Sequence, residues 1–383
     1  MFLSFYLMRH LKPIHILPLV LIGLLAGISG GWIRLGSVII PLTEGAAQHG
    51  LLMVGGFLGT LISLERGMVM KHKVWFLVPI ISGISSLFLI VGQFEIGILL
   101  LMTASLGLSA IMHLQAVRHP HFHSYLIYLG AVCWLLGNYM VWYHGLIAAG
   151  TTWWIGFLLL TILGERLELS QFLPVPSWSK KLLGALAGLF FIGLLFPFHG
   201  LGNEILGIAG ILLAAWLLYF DMAKVAAKKG NQFRYIGIGL RVGYIWLMIH
   251  GLILLFMESQ ALYYDLMLHT FFLGFTFSMI WAHAPIIFPL IFGIRETPYH
   301  RVLWWGWGIF QLTLAGRIVS GGLGLMQWRS LFGVANGWAI LGMFALMAGI
   351  VLWKIFVTRK LLLSSDKNHT VEKEPVRNCG INA

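Results

Sequence analysis

Apolar runs long enough to cross a bilayer follow one another along almost the whole chain. A transmembrane helix needs about 20 predominantly apolar residues, and we place twelve such runs near 15–34, 46–65, 74–92, 96–113, 124–146, 151–165, 182–198, 203–221, 235–256, 264–285, 302–324 and 331–356. Only 10% of the residues are charged and 59% are hydrophobic, whereas roughly 25% charge is usual in a soluble domain. The sequence therefore predicts an all-α, polytopic transmembrane helix bundle in a lipid bilayer.

The lysines and arginines fall in alternate loops between these runs. If the N-terminus is cytoplasmic, all of them lie on the inner side except Arg34, Arg241, Arg317 and Arg329. Such a bias sets the orientation of membrane proteins, so we expect both termini to face the cytoplasm. Topology therefore explains the formal net charge of +12, and we expect no binding to nucleic acid.

The chain divides into a long apolar part and a short polar end. No small-residue cleavage site follows the first apolar run, so we expect that run to be retained as a helix. We expect residues 1–356 to form one transmembrane helical domain and residues 357–383 to form a disordered cytoplasmic tail. Two six-helix halves, 1–175 and 176–356, are a hypothesis based on close-packing glycines in the first helix of each half: Gly23, Gly27, Gly31, Gly184 and Gly188.

Three histidines lie inside the predicted helices at a similar depth near the outer face. His49, His250 and His269 come from three different helices, and imidazole is a ligand for both metal ions and haem iron. The sequence therefore predicts a haem or metal site formed by these side chains. The alternative is that each histidine bonds a neighbouring helix carbonyl or faces a wet vestibule.

Arg317 lies at the same depth as these histidines in the predicted eleventh helix. A guanidinium there requires a fixed anion, which we expect to be a haem propionate or a carboxylate, with Arg34 able to assist. His283 follows His269 by 14 residues, or about 21 Å of helix, so the two cannot hold one ion. We expect His283 to mark the cytoplasmic end of its helix, the alternative being a second inner site with His113.

The cluster HPHFH at 119–123 lies in a predicted inner loop. Closely spaced histidines can hold a metal ion. A solvated loop beside the membrane is the interpretation that we favour, with a metal site as the alternative.

Two segments resemble motifs of a known family. HGLLMVGGF at 49–57 keeps the first His and the closing Gly-Phe of the form HxHEMxxGF, with Leu51 and Leu52 in place of its second His and its Glu. HTFFLGFTFSMI at 269–280 keeps the His, a Gly and the Met of the form HALTVGAIGxMI. Both forms are typical of the NnrS family, bacterial polytopic membrane proteins reported to hold haem and copper and linked to the nitric oxide stress response.

The resemblance implies a multi-pass protein of the bacterial cytoplasmic (inner) membrane. It further implies that His49 and His269 are haem or metal ligands, that haem is the cofactor with copper as a second metal, and that nitric oxide or a similar small diatomic is the ligand. It identifies neither a redox partner nor a catalytic residue.

Three hypotheses for the function follow. The first is a haem-binding membrane protein that acts on or responds to nitric oxide. The second is a small-molecule membrane transporter, since two parallel six-helix halves also describe major-facilitator carriers, although LERGMVMKHK at 64–73 lacks their acidic-basic glycine signature. The third is a cofactor-free assembly or sensor protein. Motifs of soluble enzymes such as HExxH, CxxC and the phosphate-binding GxxxxGK[ST] do not occur.

Overall fold

The computed structural model describes residues 12–173 and 175–371. Over these residues the protein is 85% helical and has no strand, which confirms the predicted all-α class. The long helices within the described ranges are α1 (Pro13–Arg34), α2 (His49–Met68), α3 (Lys73–Ile90), α4 (Phe94–Arg118), α5 (Phe122–His144), α6 (Ile147–Leu169), α7 (Ser177–Leu195), α8 (Phe198–Phe220), α9 (Asn231–Phe256), α10 (Tyr263–Ile291), α11 (Leu303–Gly322) and α12 (Met326–Val371).

Eleven of the helices in the described residues are long and apolar enough to cross a membrane, one fewer than the twelve predicted runs. The exception is α11, which forms where the eleventh run was expected and packs along α12. Its mean hydropathy is lower because Gln311, Arg317 and several tryptophans and glycines interrupt the aliphatic residues. α11 is therefore long enough to span a membrane, and its polar residues are typical of a helix that forms part of a polar site.

The predicted tail of residues 357–383 is described only in part. α12 continues to Val371, so residues 357–371 are part of that helix. Residues 372–383 lie outside the described residues.

The glycines of α1 bring this helix against α2. A Cβ atom at Gly23 would lie 2.6 Å from the carbonyl carbon of Gly56, and one at Gly31 would lie 3.1 Å from Cε1 of His49. The predicted close packing is therefore present in α1. In α7, by contrast, a Cβ atom at Gly188 would meet nothing within 4 Å, so that glycine is not needed for helix packing.

Among the described residues α8 begins with a short π-helical stretch, Phe198–Gly202, and two helices contain a longer one in their interior. In α2 this stretch covers Leu52–Gly59, and in α10 it covers Thr270–Phe277. The two stretches meet at Phe57 and Phe277, whose ring centroids are 5.8 Å apart. π-helical turns are rare and occur frequently at functional sites, and both stretches here follow closely after a predicted site histidine.

A buried polar network joins α4, α5 and α6. Asn138 has no exposed surface; its amide donates hydrogen bonds to the carbonyl of Leu101 and to Ser105, both at 3.2 Å. The indole of Trp154 donates to the Asn138 amide oxygen at 3.1 Å. Water is absent from the hydrocarbon of a membrane. A polar side chain inside the bundle therefore needs hydrogen-bond partners within the protein, as Asn138 has here.

Candidate functional site

A cavity of about 300 Å³ lies between α1, α2, α6, α10, α11 and α12, at the end of the bundle that holds the α1–α2 loop. Its histidine and charged lining comprises His49, His269, Asp265, Arg317, Arg329 and Arg34, and Thr151, Tyr264 and Asn336 add further polar groups. Aromatic side chains, including Trp32, Trp154 and Phe277, form much of the remaining wall. We call this space the histidine cavity.

His49 stands in the first turn of α2, directly opposite the glycines of α1. Its Nδ1 lies 2.6 Å from the carbonyl oxygen of Gly27. A carbonyl can only accept, so Nδ1 carries the proton and Nε2 keeps its lone pair. Gly31 gives the imidazole room against α1, so the small residues of α1 fix both the position and the tautomer of this histidine.

His269 ends the regular first part of α10, one residue before the π-helical stretch. Its Nδ1 lies 2.7 Å from the backbone oxygen of Asp265 and 3.1 Å from the Asp265 carboxylate. Arg317 Nη2 lies 3.3 Å from the same nitrogen, but the two acceptors are closer, so Nδ1 carries the proton here as well. Among the described residues no hydrogen bond reaches Nε2 of His49 or His269. A ring nitrogen that is free while the other is bonded to a carbonyl or carboxylate is the arrangement found in histidines that bind metals.

Asp265 is the centre of an ion cluster on the wall of the cavity. Its carboxylate accepts a hydrogen bond from Arg317 Nη2 at 2.9 Å and another from Arg329 Nε at 3.0 Å. The anion that Arg317 requires is therefore a carboxylate of the chain. Arg34 also lines the cavity, and it makes no ion pair with any acid in the described part of the chain. Three arginines thus face one aspartate, leaving the cavity with an excess of positive charge.

His250 does not join the other two histidines. It is 2% exposed in α9, its Nδ1 lies 3.1 Å from the carbonyl oxygen of Met267, and its ring packs on Phe271. It is not part of the cavity lining. The structure therefore brings His49, His269 and Arg317 together, and leaves His250 bonded to a neighbouring helix carbonyl, as in the alternative interpretation.

His283 lies on the far part of α10 in a second polar network. Arg166 Nη2 donates to its Nε2 at 2.6 Å, and its Nδ1 donates to the carbonyl of Met279 at 2.8 Å. Both ring nitrogens are occupied, so His283 has no lone pair for a metal. Arg166 is buried and also within hydrogen-bonding reach of Tyr244, whose hydroxyl donates to Asp221 at 2.9 Å.

Sequence reasoning did not assign a role to Asp265 or Arg329. The signal for Asp265 was present, since it precedes His269 by four residues and so lies on the same helix face. Arg329 was named only as one of the basic residues that do not lie on the inner side, although it stands in the first turn of α12 and donates to Asp265.

The donor set limits what the cavity can hold. Within the described ranges no group of three or more His, Cys, Asp or Glu side chains is arranged to hold a metal ion. Two imidazoles with free Nε2 atoms would suit a haem, whose own nitrogens supply the remaining ligands of the iron. The guanidinium groups would suit the carboxylates that such a macrocycle carries.

Comparison with known proteins gives a family without a described activity. No curated protein and no solved structure matches the chain. A family model described as a domain of unknown function, DUF8744, matches residues 14–352. Because this match covers nearly the whole bundle, from α1 into α12, the chain belongs to the DUF8744 family.

Proposed function

We propose that the protein is a multi-pass protein of the bacterial cytoplasmic membrane with both termini inside. The support is the set of eleven apolar helices together with α11, which is also long enough to span a membrane, and the concentration of lysine and arginine in alternate loops. Twelve crossings return the chain to the side on which it began. Reporter fusions at Lys71 and after Lys360 should both report a cytoplasmic position. Periplasmic signals from both fusions would refute the orientation.

Within that membrane protein we propose a haem in the histidine cavity, which His49 and His269 would hold through their Nε2 atoms. The observation that carries this proposal is the shared geometry of the two imidazoles: both line one cavity, both hold their Nδ1 on a backbone carbonyl, and both leave Nε2 unbonded. Copper fits less well, because no third ligand of suitable type joins the two histidines in the described residues.

The surroundings of the imidazoles support the same cofactor. Arg34 and Arg329 line the cavity, and their positive charge would suit the carboxylates of a haem. Trp32 and Phe277 offer flat apolar surfaces for the macrocycle. A haem needs more room than about 300 Å³, so binding requires lining side chains to turn outward. Met53, with its flexible thioether, is the side chain best able to do so.

A haem in this position would supply a site for a small diatomic such as nitric oxide. A small diatomic would reach such a site from the membrane, because an uncharged gas partitions into hydrocarbon. This chemistry gives the protein a role in binding or responding to nitric oxide.

The test is an optical spectrum of the protein purified in detergent after expression with added haem precursor. We expect a Soret band that corresponds to near-stoichiometric haem, and a shift of that band when nitric oxide is added to the reduced protein. His49→Ala and His269→Ala should each lose the Soret band or shift it.

His250→Asn is the matched control, because it alters a buried histidine near the cavity and keeps a donor for Met267. It should keep the wild-type spectrum, as should His283→Ala. Equal loss of haem from His250→Asn and His269→Ala would refute the assignment of the ligand pair, and a wild-type protein without a Soret band would refute the haem.

A second candidate is a transporter for a small organic anion. The observation that favours it is the excess of arginine over aspartate in a cavity between helices. In that case the purified protein would hold no haem, and its reconstitution into liposomes would speed the uptake of a carboxylate, with Arg317→Leu abolishing the effect.

A further inference from the structure

A second cavity, of about 540 Å³, opens at the opposite end of the bundle, where α5 begins and α6 ends. Its polar lining is His121, His123, Gln171, Lys180 and Lys181. The first two residues belong to the HPHFH cluster that the sequence placed in a solvated loop. The structure instead makes them one wall of a pocket closed on the other side by α7.

The polar groups of this pocket are oriented as donors. His123 is buried, and the Gln171 amide donates to its Nδ1 at 3.1 Å, so its Nε2 carries the proton. The ring of His121 stacks on that of His123, with centroids 5.3 Å apart and planes 18° apart. This stacking holds both imidazoles at one edge of the pocket.

The two lysines make the pocket suited to an anion rather than a metal ion. Neither Lys180 nor Lys181 forms an ion pair with an acid in the described part of the chain. No carboxylate lines the pocket; Glu168 acts on His123 electrostatically and offsets only part of the charge. Two ammonium groups would repel a cation from the histidines. They would attract a phosphate, which offers several acceptor oxygens.

An apolar surface lies beside these donors. Phe122 is 51% exposed and Leu167 is buried at the pocket wall. Gly184 leaves the space open, because a Cβ atom there would come within 3.0 Å of the Phe122 ring. Charged donors next to an exposed aromatic ring match a ligand with a polar head and an apolar body.

We propose that this pocket binds a phosphate group, and that in the membrane this group belongs to an anionic phospholipid. Basic pockets between helices on the cytoplasmic side are known to take anionic lipid headgroups, and this pocket lies at the end of the bundle where the basic loops collect. The proposal rests on the proposed membrane insertion but not on haem, so the two can fail separately.

The experiment compares ligand-dependent thermal stabilisation of the detergent-purified protein, read by tryptophan fluorescence. The probes are short-chain phosphatidylglycerol, short-chain phosphatidylcholine and inorganic phosphate. The test variant is Lys180→Gln/Lys181→Gln. The matched control is Lys228→Gln/Lys229→Gln, a second pair of adjacent lysines that is exposed at the same end of the protein.

We expect phosphatidylglycerol to bind the wild type at least about tenfold more tightly than phosphatidylcholine, since each basic residue near an anionic headgroup adds affinity. The test variant should lose this preference and the control should keep it. Gly184→Leu, which fills the pocket without changing charge, should also lose it.

The remaining outcomes identify the source of the phosphate or refute the site. Stabilisation by inorganic phosphate that the test variant loses would support the same site with a free phosphate as its ligand. An unchanged preference for phosphatidylglycerol in both Lys180→Gln/Lys181→Gln and Gly184→Leu would overturn the proposal. No preference in the wild type for any of the three probes would overturn it as well.

Discussion

Replacement of Asp265 by Asn tests the ion cluster of the histidine cavity. The change keeps the shape of the side chain but removes the negative charge that pairs with Arg317 and Arg329. The Asp265 side chain is 18% exposed and that of Arg317 is 9% exposed. At an effective dielectric constant of about 20, each contact near 3 Å is worth roughly 5–6 kcal/mol of Coulomb energy. The cost of removing the charges from water offsets most of this Coulomb energy. Removal of one partner of a buried ion pair lowers the free energy of unfolding by about 3–5 kcal/mol.

We therefore expect Asp265→Asn to lower the free energy of unfolding by about 3–5 kcal/mol. Equilibrium unfolding in mixed detergent micelles, followed by tryptophan fluorescence, measures this change. Adding Arg317→Gln to Asp265→Asn should recover part of the loss, because the buried guanidinium no longer lacks a counterion.

Glu258→Gln is the control for loss of an acid from an ion pair. Glu258 and His199 form an exposed pair at 3.1 Å, and such pairs contribute about 0–1 kcal/mol. The role of Asp265 as the counterion of Arg317 is refuted if Asp265→Asn lowers the free energy of unfolding no more than Glu258→Gln does. It is also refuted if the double variant loses the full sum of the two single changes.

Two further predictions concern packing. Gly31→Val should displace the His49 imidazole at a cost of about 1–3 kcal/mol. In a dilution assay this corresponds to a roughly 5- to 150-fold weaker retention of haem. The control is Gly188→Val, whose added atoms meet nothing within 4 Å and which should retain haem as the wild type does. Asn138→Leu leaves the Trp154 indole without its acceptor and should lower the free energy of unfolding by about 1–3 kcal/mol. An unchanged midpoint in the detergent unfolding assay would contradict the stabilising role of the polar network around Asn138.

The helices were predictable because their length and apolar content depend on the sequence alone. Each predicted run corresponds to a helix in the described residues, and the difference at α11 arises from polar and aromatic residues that its packing on α12 accommodates. Depth was predictable too: the distance of a residue from a helix end placed His49, His269 and Arg317 at one level, and the cavity joins them.

The direction in which a side chain points was not predictable in the same way. His250 lies at a suitable depth, yet its ring contacts Phe271 and Met267, because the rotation of α9 is set by contacts with its neighbours and not by its own sequence. For the same reason the pairing of Asp265 with Arg329 was missed: the two are 64 residues apart, and only the packing of α12 against α10 brings them together.

The π-helical stretch of α10 has a consequence for its two histidines. A regular helix turns 100° per residue, which would place His269 and His283 on nearly the same face after 14 residues. Thr270–Phe277 lies between them and turns less per residue, so the second half of α10 is rotated relative to the first. That rotation sets the angle at which His283 meets Arg166 while His269 faces the cavity. Insertion of one further residue into Thr270–Phe277 would then act as a change of phase, turning one end of the helix away from its partners although every contacting side chain is still in the protein.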